Sequence, residues 1–190
     1  RFIEKRMYDP IGIVIFGADA GSRCPLTLDK KVLKEIVSEV KLGIINYEGT
    51  ALGTGMATAI NRLRNSKSKS KIIILLTDGR PEGQDKISPE LATDLAIKFG
   101  IKIYTIGVGN KNGGYIVGSF GFVEQIPDSI DEQLLKKIAY DTGGQFFRAN
   151  NAAQMRQIYN TIDSLEKTEY QTDVFNRYYE SFFSLMLLVL

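Results

Sequence analysis

Two residues of this chain stand where a ligand would meet them. Asp78 directly follows the run Lys71-Ile-Ile-Ile-Leu-Leu-Thr77. An uninterrupted apolar run of this kind predicts a strand buried on both faces, so the carboxylate after it stands at the strand's C-terminal rim. Thr50 lies in the turn Gly49-Thr50-Ala-Leu-Gly53-Thr54-Gly55, which opens a helix. Free N–H groups make a helix start electropositive, and a threonine hydroxyl there is an oxygen donor of the kind that phosphate-binding loops use for a metal ion. The competing reading of Asp78 is a carboxylate that caps a turn or a helix. Position alone prefers neither.

Absent residue types narrow the chemistry further. The chain contains no histidine, which removes a Ser-His-Asp triad, a Cys-His pair and a histidine-based zinc site. Its single cysteine, Cys24, sits in Arg23-Cys24-Pro25-Leu26 with no second thiol to pair with, and reads as a small core residue. The Gly53-x-Gly55 turn has Thr58 where a dinucleotide fingerprint needs Gly or Ala, and no phosphate-loop lysine follows. The net charge of +2 gives no footprint for nucleic acid. The basic stretch Arg62 to Lys71 has no interleaved aromatic residues and reads as a solvated helix end and loop.

The elements that must position these residues alternate. Ile11-Gly-Ile-Val-Ile-Phe16 predicts a buried strand, with a short one following at 24–28. Residues 28–40 form an amphipathic pattern with Val32, Leu33, Ile36, Val37 and Val40 on one face, and 49–63 form a second helix. After the Lys71 strand, Ser88-Pro89 caps a helix that ends near Gly100. Ile101 to Val108 is the next strand, and the Gly- and aromatic-rich stretch 109–126 an irregular loop or small hairpin. Ser129-Ile-Asp-Glu132 reads as a capping box for a helix stopped by Gly143-Gly144. A short strand at 145–148 and a helix from Asn151 to about Glu166 complete the order. Strands alternating with helices predict an α/β fold, a doubly wound, mostly parallel sheet with helices on both faces. Ligands of such sheets bind beyond the carboxyl ends of the strands.

The chain has 44% hydrophobic and 24% charged residues and is long enough for one α/β domain. Arg1 to Arg6 reads as the tail of a helix. Residues 182–190, Phe-Phe-Ser-Leu-Met-Leu-Leu-Val-Leu, have one polar member and follow Tyr178 and Tyr179. They read as the start of a transmembrane helix, which needs about 20 such residues. The expected organisation is a domain at 1–167, a linker at 168–181 and a truncated membrane anchor at 182–190. The flank before the anchor carries Lys167 and Arg177 against Glu166, Glu169, Asp173 and Glu180, which leans toward the non-cytoplasmic side.

Taken together, Glu48-Gly-Thr50-Ala-Leu-Gly53, Ile-Ile-Ile-Leu-Leu-Thr77-Asp78-Gly79 and Tyr-Thr-Ile-Gly107-Val-Gly109 resemble von Willebrand factor A domains. Phe16-Gly, Cys24-Pro-Leu-Thr27 and the terminal apolar segment look, more narrowly, like the BatA-type membrane proteins of bacterial aerotolerance operons. The resemblance implies a metal-ion-dependent adhesion site. There a divalent ion, usually Mg²⁺, is held by an Asp-x-Ser-x-Ser motif, a threonine and an aspartate. Thr50 matches the threonine and Asp78 the aspartate, which ligates directly or through water. Mg²⁺ takes six hard oxygens and keeps several as water, so one position can accept a partner's Asp or Glu. The implied protein is not an enzyme. It is a bacterial inner-membrane interaction module with its domain on the periplasmic side, and it binds proteins rather than nucleic acid.

The chain departs from that pattern in one respect: it has no Asp-x-Ser-x-Ser. In the family the motif ends a central first strand, so the expectation is that strand and motif lie upstream of Arg1. The chain alone is then expected to fold poorly and bind Mg²⁺ weakly, because unpaired buried backbone groups cost about 1–3 kcal/mol each. Two other readings stay open. One is a Rossmann-like or phospho-acceptor enzyme domain with Asp78 as its acidic residue, and the other is a degenerate, metal-free scaffold.

Overall fold

A computed structural model describes residues 2–41, 49–81, 85–111, 113–117, 123–126 and 129–166. The chain divides into two compact units, 1–151 and 152–190. The first carries, in order, α1 (Phe2–Lys5), β1 (Ile11–Phe16), β2 (Ala20–Thr27), α2 (Lys30–Glu39), α3 (Leu52–Leu63), β3 (Lys71–Thr77), α4 (Pro89–Lys98), β4 (Ile101–Val108), β5 (Gly114–Val117), β6 (Val123–Ile126), α5 (Glu132–Asp141) and β7 (Phe146–Ala149). In the second, residues 152–166 are helical.

Three strands form a parallel ladder in the order β3-β4-β7. Lys71 pairs with Ile101 and Thr77 with Gly107, while Val108 pairs with Ala149. Parallel pairing needs a helical crossover, and α4 and α5 supply the two crossovers. β4 has a hydrogen-bonded neighbour on each side, and Ile101, Ile103, Thr105 and Ile106 on it are essentially inaccessible. Leu52, Met56 and Ile60 of α3, Ala92 and Ala96 of α4, and Leu135 and Ile138 of α5 join Ile73 and Leu75 of β3 in this core. The expected α/β doubly wound architecture is the one observed.

β1 and β2 instead form a separate antiparallel ribbon, with Ile11 opposite Thr27 and Phe16 opposite Ala20. Two register irregularities interrupt it, between Ile11 and Ile13 and between Ile13 and Val14. β5 and β6 make a small antiparallel hairpin, one of the two forms expected for the 109–126 stretch. Among the described residues no ladder joins β1 to β3.

Helix ends follow local chemistry. Asp29 caps α2 by accepting from the Lys31 and Val32 amides, and Ser88 caps α4 by accepting from Leu91 N. α4 closes at Gly100 and α5 at Gly143, both in the left-handed region at φ +61° and +77°. Two details differ from the sequence expectation. Asp131, not Ser129, caps α5, accepting from Leu134 N at 3.0 Å. On α2 only Leu33 is fully buried, while Val32, Val37 and Val40 are exposed. Cys24 is buried, as a core residue should be. The segments 168–181 and 182–190 lie outside the described residues. Among the described residues no helix is long and apolar enough to cross a membrane.

Candidate functional site

The rim at the carboxyl ends of β1, β3 and β4 gathers the polar residues. Gly17, just past β1, accepts a hydrogen bond from Ala51 N at 2.6 Å. That bond holds the turn bearing Thr50 against the end of β1. At the end of β3, Gly79 N donates to the Thr77 hydroxyl at 3.3 Å. The Thr77 hydroxyl in turn donates to the Gly79 carbonyl at 3.2 Å. The chain therefore turns sharply at Asp78 and leaves its side chain exposed.

These two turns meet. A Cβ built on Gly79 would lie 3.3 Å from the Thr50 hydroxyl oxygen, so Thr50 abuts the residue next to Asp78. From the third side, the Ser129 hydroxyl donates to the Asp78 carbonyl at 2.7 Å. The structure thus brings Thr50 and Asp78, 28 positions apart in the chain, to one place on the rim. Among the described residues neither the Asp78 carboxylate nor the Thr50 hydroxyl is engaged by another side chain.

Asp85 also belongs to this rim, and nothing in the sequence pattern singles it out. The first turn of α3 has no side-chain cap of its own, since its N-cap position is Ala51. Asp85 supplies one from the loop after β3: its carboxylate accepts from Gly53 N at 2.7 Å and from Thr54 N at 3.0 Å, and also from the Thr54 hydroxyl. A carboxylate at a helix start is favoured by the orphan N–H groups and the helix dipole. It also fills the anion spot that a phosphate would need, which removes the nucleotide reading of the Gly53-x-Gly55 turn. Gly53 is required for this approach, because a Cβ there would strike the Ile87 carbonyl at 2.0 Å. Gly55 serves packing too, since a Cβ on it would press on the Phe16 ring at 2.9 Å. A cap supplied from 32 residues away leaves no periodic or local signal to read.

Two carboxylates with cationic partners, Asp19 and Glu132, flank the rim. Lys86 Nζ lies 2.8 Å from the carboxylate of Asp19, in the turn after β1. This ammonium, with the Ala20 amide, holds the Asp19 carboxyl below its usual range. Further round, Glu132 accepts from Lys136 at 2.9 Å and from Arg148 at 2.7 Å, and the two cations lower its pKa in that order. Arg148 also donates through Nε to the Gly109 carbonyl at 3.1 Å, which ties β7 to the end of β4.

The donor set suits a hard cation held loosely. It offers one carboxylate and one hydroxyl, and no described group of three or more His, Cys, Asp or Glu converges to hold a metal. An ion on Thr50 and Asp78 would keep several waters, as Mg²⁺ does.

A parallel α/β layer with polar residues gathered at its carboxyl rim is a ligand-binding class of fold. Within that class, the profile of the von Willebrand factor type A domain matches residues 3–161, and the chain belongs to this family. It is 31% identical over 160 residues to an uncharacterized protein of Borreliella burgdorferi, covering 79% of this chain and 45% of that one. The chain spans about half the length of the curated relatives it matches. Among solved structures it is similar to the conserved hypothetical protein BatB from Bacteroides thetaiotaomicron, with TM-score 0.70 and 25% identity, covering 88% of this chain and 84% of that one. An aerotolerance-related membrane protein from Bacteroides fragilis shares the fold at TM-score 0.67 and 22% identity, over 84% and 83% of the two chains. So does proximal thread matrix protein 1 of the mussel byssus, solved with a zinc-occupied MIDAS motif, at TM-score 0.62 and 24% identity, over 86% and 38%.

Proposed function

We propose that this domain is a non-catalytic protein-binding module whose contact is made through a divalent ion held at Thr50 and Asp78. The observation that carries this reading is the meeting of the Thr50 turn with the Asp78–Gly79 turn, with both side-chain oxygens unengaged among the described residues. Thr50 is the direct ligand; Asp78 ligates directly or through water. With few protein charges around it the ion stays electrophilic, and an open position takes an Asp or Glu of the partner. The mussel protein's zinc-occupied MIDAS supports a divalent ion on this fold. The ion proposed here is Mg²⁺ or another divalent cation.

The remaining ligands are proposed to come from an Asp-x-Ser-x-Ser motif on a further parallel strand between β1 and β3, where no ladder joins the two among the described residues. A bacterial inner-membrane location with the domain on the periplasmic side is proposed from the apolar residues 182–190 and from the membrane-protein neighbour. The partners are then other components of a membrane complex.

The test is partner capture by the full-length protein with and without a chelator. Capture should be lost on chelation, and Asp78→Ala should reproduce that loss with metal present. Equal capture in all arms removes the metal from the mechanism.

A further inference from the structure

We infer that Asp85 is the positioning residue of this rim, fixing the geometry of Thr50 and Asp78 without being a ligand. The inference rests on the metal-site reading above and adds what holds that site in shape. Asp85 is joined to both halves. It lies seven positions after Asp78 in the chain, and its carboxylate is bound to the start of α3, three and four residues past Thr50. One carboxylate thereby satisfies two orphan amides and one hydroxyl of a helix that has no cap of its own.

The residues that follow Asp85 fix the loop against β1 and α3. Lys86 pairs with Asp19 beside the end of β1. Ile87 and Ser88 lie so close to Gly53 that no side chain fits between them. The loop therefore cannot slide along α3 without breaking the Asp85 bonds. Thr54, which donates to Asp85, is itself buried, so its hydroxyl has no bulk water to turn to. Without Asp85 the first turn of α3 loses its tertiary acceptor, and of the hydrogen bonds described from residues 50–54 to the rim only the Ala51–Gly17 bond remains.

A positioning role and a merely stabilising one predict different results. In the full-length protein, Asp85→Ala and Asp85→Asn are compared with the parent by native-state amide exchange and by Mn²⁺ titration. Asp85→Ala should speed exchange at least tenfold at Ala51 and Gly79 and leave Ile103 and Ile106 in β4 unchanged. Asn keeps one acceptor oxygen and should fall between. Faster exchange confined to Gly53 and Thr54, or spread evenly into β4, overturns the inference whatever the metal does. In the titration, Asp85→Ala should weaken Mn²⁺ about tenfold, and this loss should vanish in a Thr50→Ala background. An equal loss in both backgrounds overturns action through Thr50. A parent protein that binds no Mn²⁺ overturns the metal reading instead, and the exchange result then decides the role of Asp85 by itself.

Discussion

The strands β1 and β4 are written in nearly the same alphabet and end in different states. β1 is Ile-Gly-Ile-Val-Ile-Phe and β4 is Ile-Lys-Ile-Tyr-Thr-Ile-Gly-Val. Every β4 residue but Lys102 and Val108 is buried, and no β1 residue is. The cause is cover on the edges as well as the faces. β4 is paired on both sides, whereas β1 pairs only with β2, and β3 pairs only with β4 among the described residues. Leu76 of β3 is 37% exposed, in a run whose composition predicts full burial. An apolar run thus reports the environment a strand is built for, and the mismatch locates the place where the sheet is open.

This difference is broken or sharpened most strongly by truncation. Ile106→Ala in β4 removes a fully buried side chain and should cost about 3 kcal/mol, within the usual range of 2–5. Ile13→Ala in β1 removes a half-buried one and should cost about 1 kcal/mol. Urea unfolding of the same preparation reads both. Equal losses would mean that β1 is covered by something that pairs with it more fully than β2 does.

A smaller effect separates the two edges of β3. Alternate N–H groups of a strand point to opposite edges, so a strand paired on one side leaves about half its amides open. Amides along β4 should exchange at or near the global unfolding rate, while about half of those in β3 should exchange at least a hundredfold faster. If the proposed strand between β1 and β3 is present in the full-length protein, β3 should become as protected as β4. Continued fast exchange there would remove that strand from the proposal.

The sequence carried the parallel layer well because each of its parts is a local signal. The run 72–76 is apolar throughout, Ser88-Pro89 is a cap with proline in the first turn, and Gly100 and Gly143 end helices in the left-handed region. The rim positions of Thr50 and Asp78 were legible for the same reason, since each sits at the end of an element. What was not legible is tertiary. The valines of α2 promised a core face, but only Leu33 found cover. Ser129 reads as the cap of α5, yet its hydroxyl goes to the Asp78 carbonyl and Asp131 takes the cap. Asp85 and Lys86 reach partners 32 and 67 positions away, distances at which no periodicity survives.

The smallest predicted effect contrasts the ion pairs of the two regions. Glu132, between Lys136 and Arg148 at the β4–β7 end, and Asp19, facing Lys86 at the β1 end, both have lowered pKa values. A lowered carboxyl pKa contributes stability that is present above the unfolded value and is lost as pH falls through the folded value. For Glu132 the loss therefore begins below its ordinary value of 4.5 and continues downward. The Arg148–Glu132 side chains are only 16% and 20% exposed, so screening by water is partial, and the contribution should be on the order of 1 kcal/mol. Lys86 and Asp19 are 69% and 55% exposed, and solvent screens them. Glu132→Gln should therefore flatten the acid limb of the stability–pH curve below about pH 4.5, and Asp19→Asn should flatten it less. A flattened limb in Asp19→Asn with an unaltered one in Glu132→Gln would reverse the assignment, and would mean that the ribbon end of the rim, rather than the parallel layer, is held by charge.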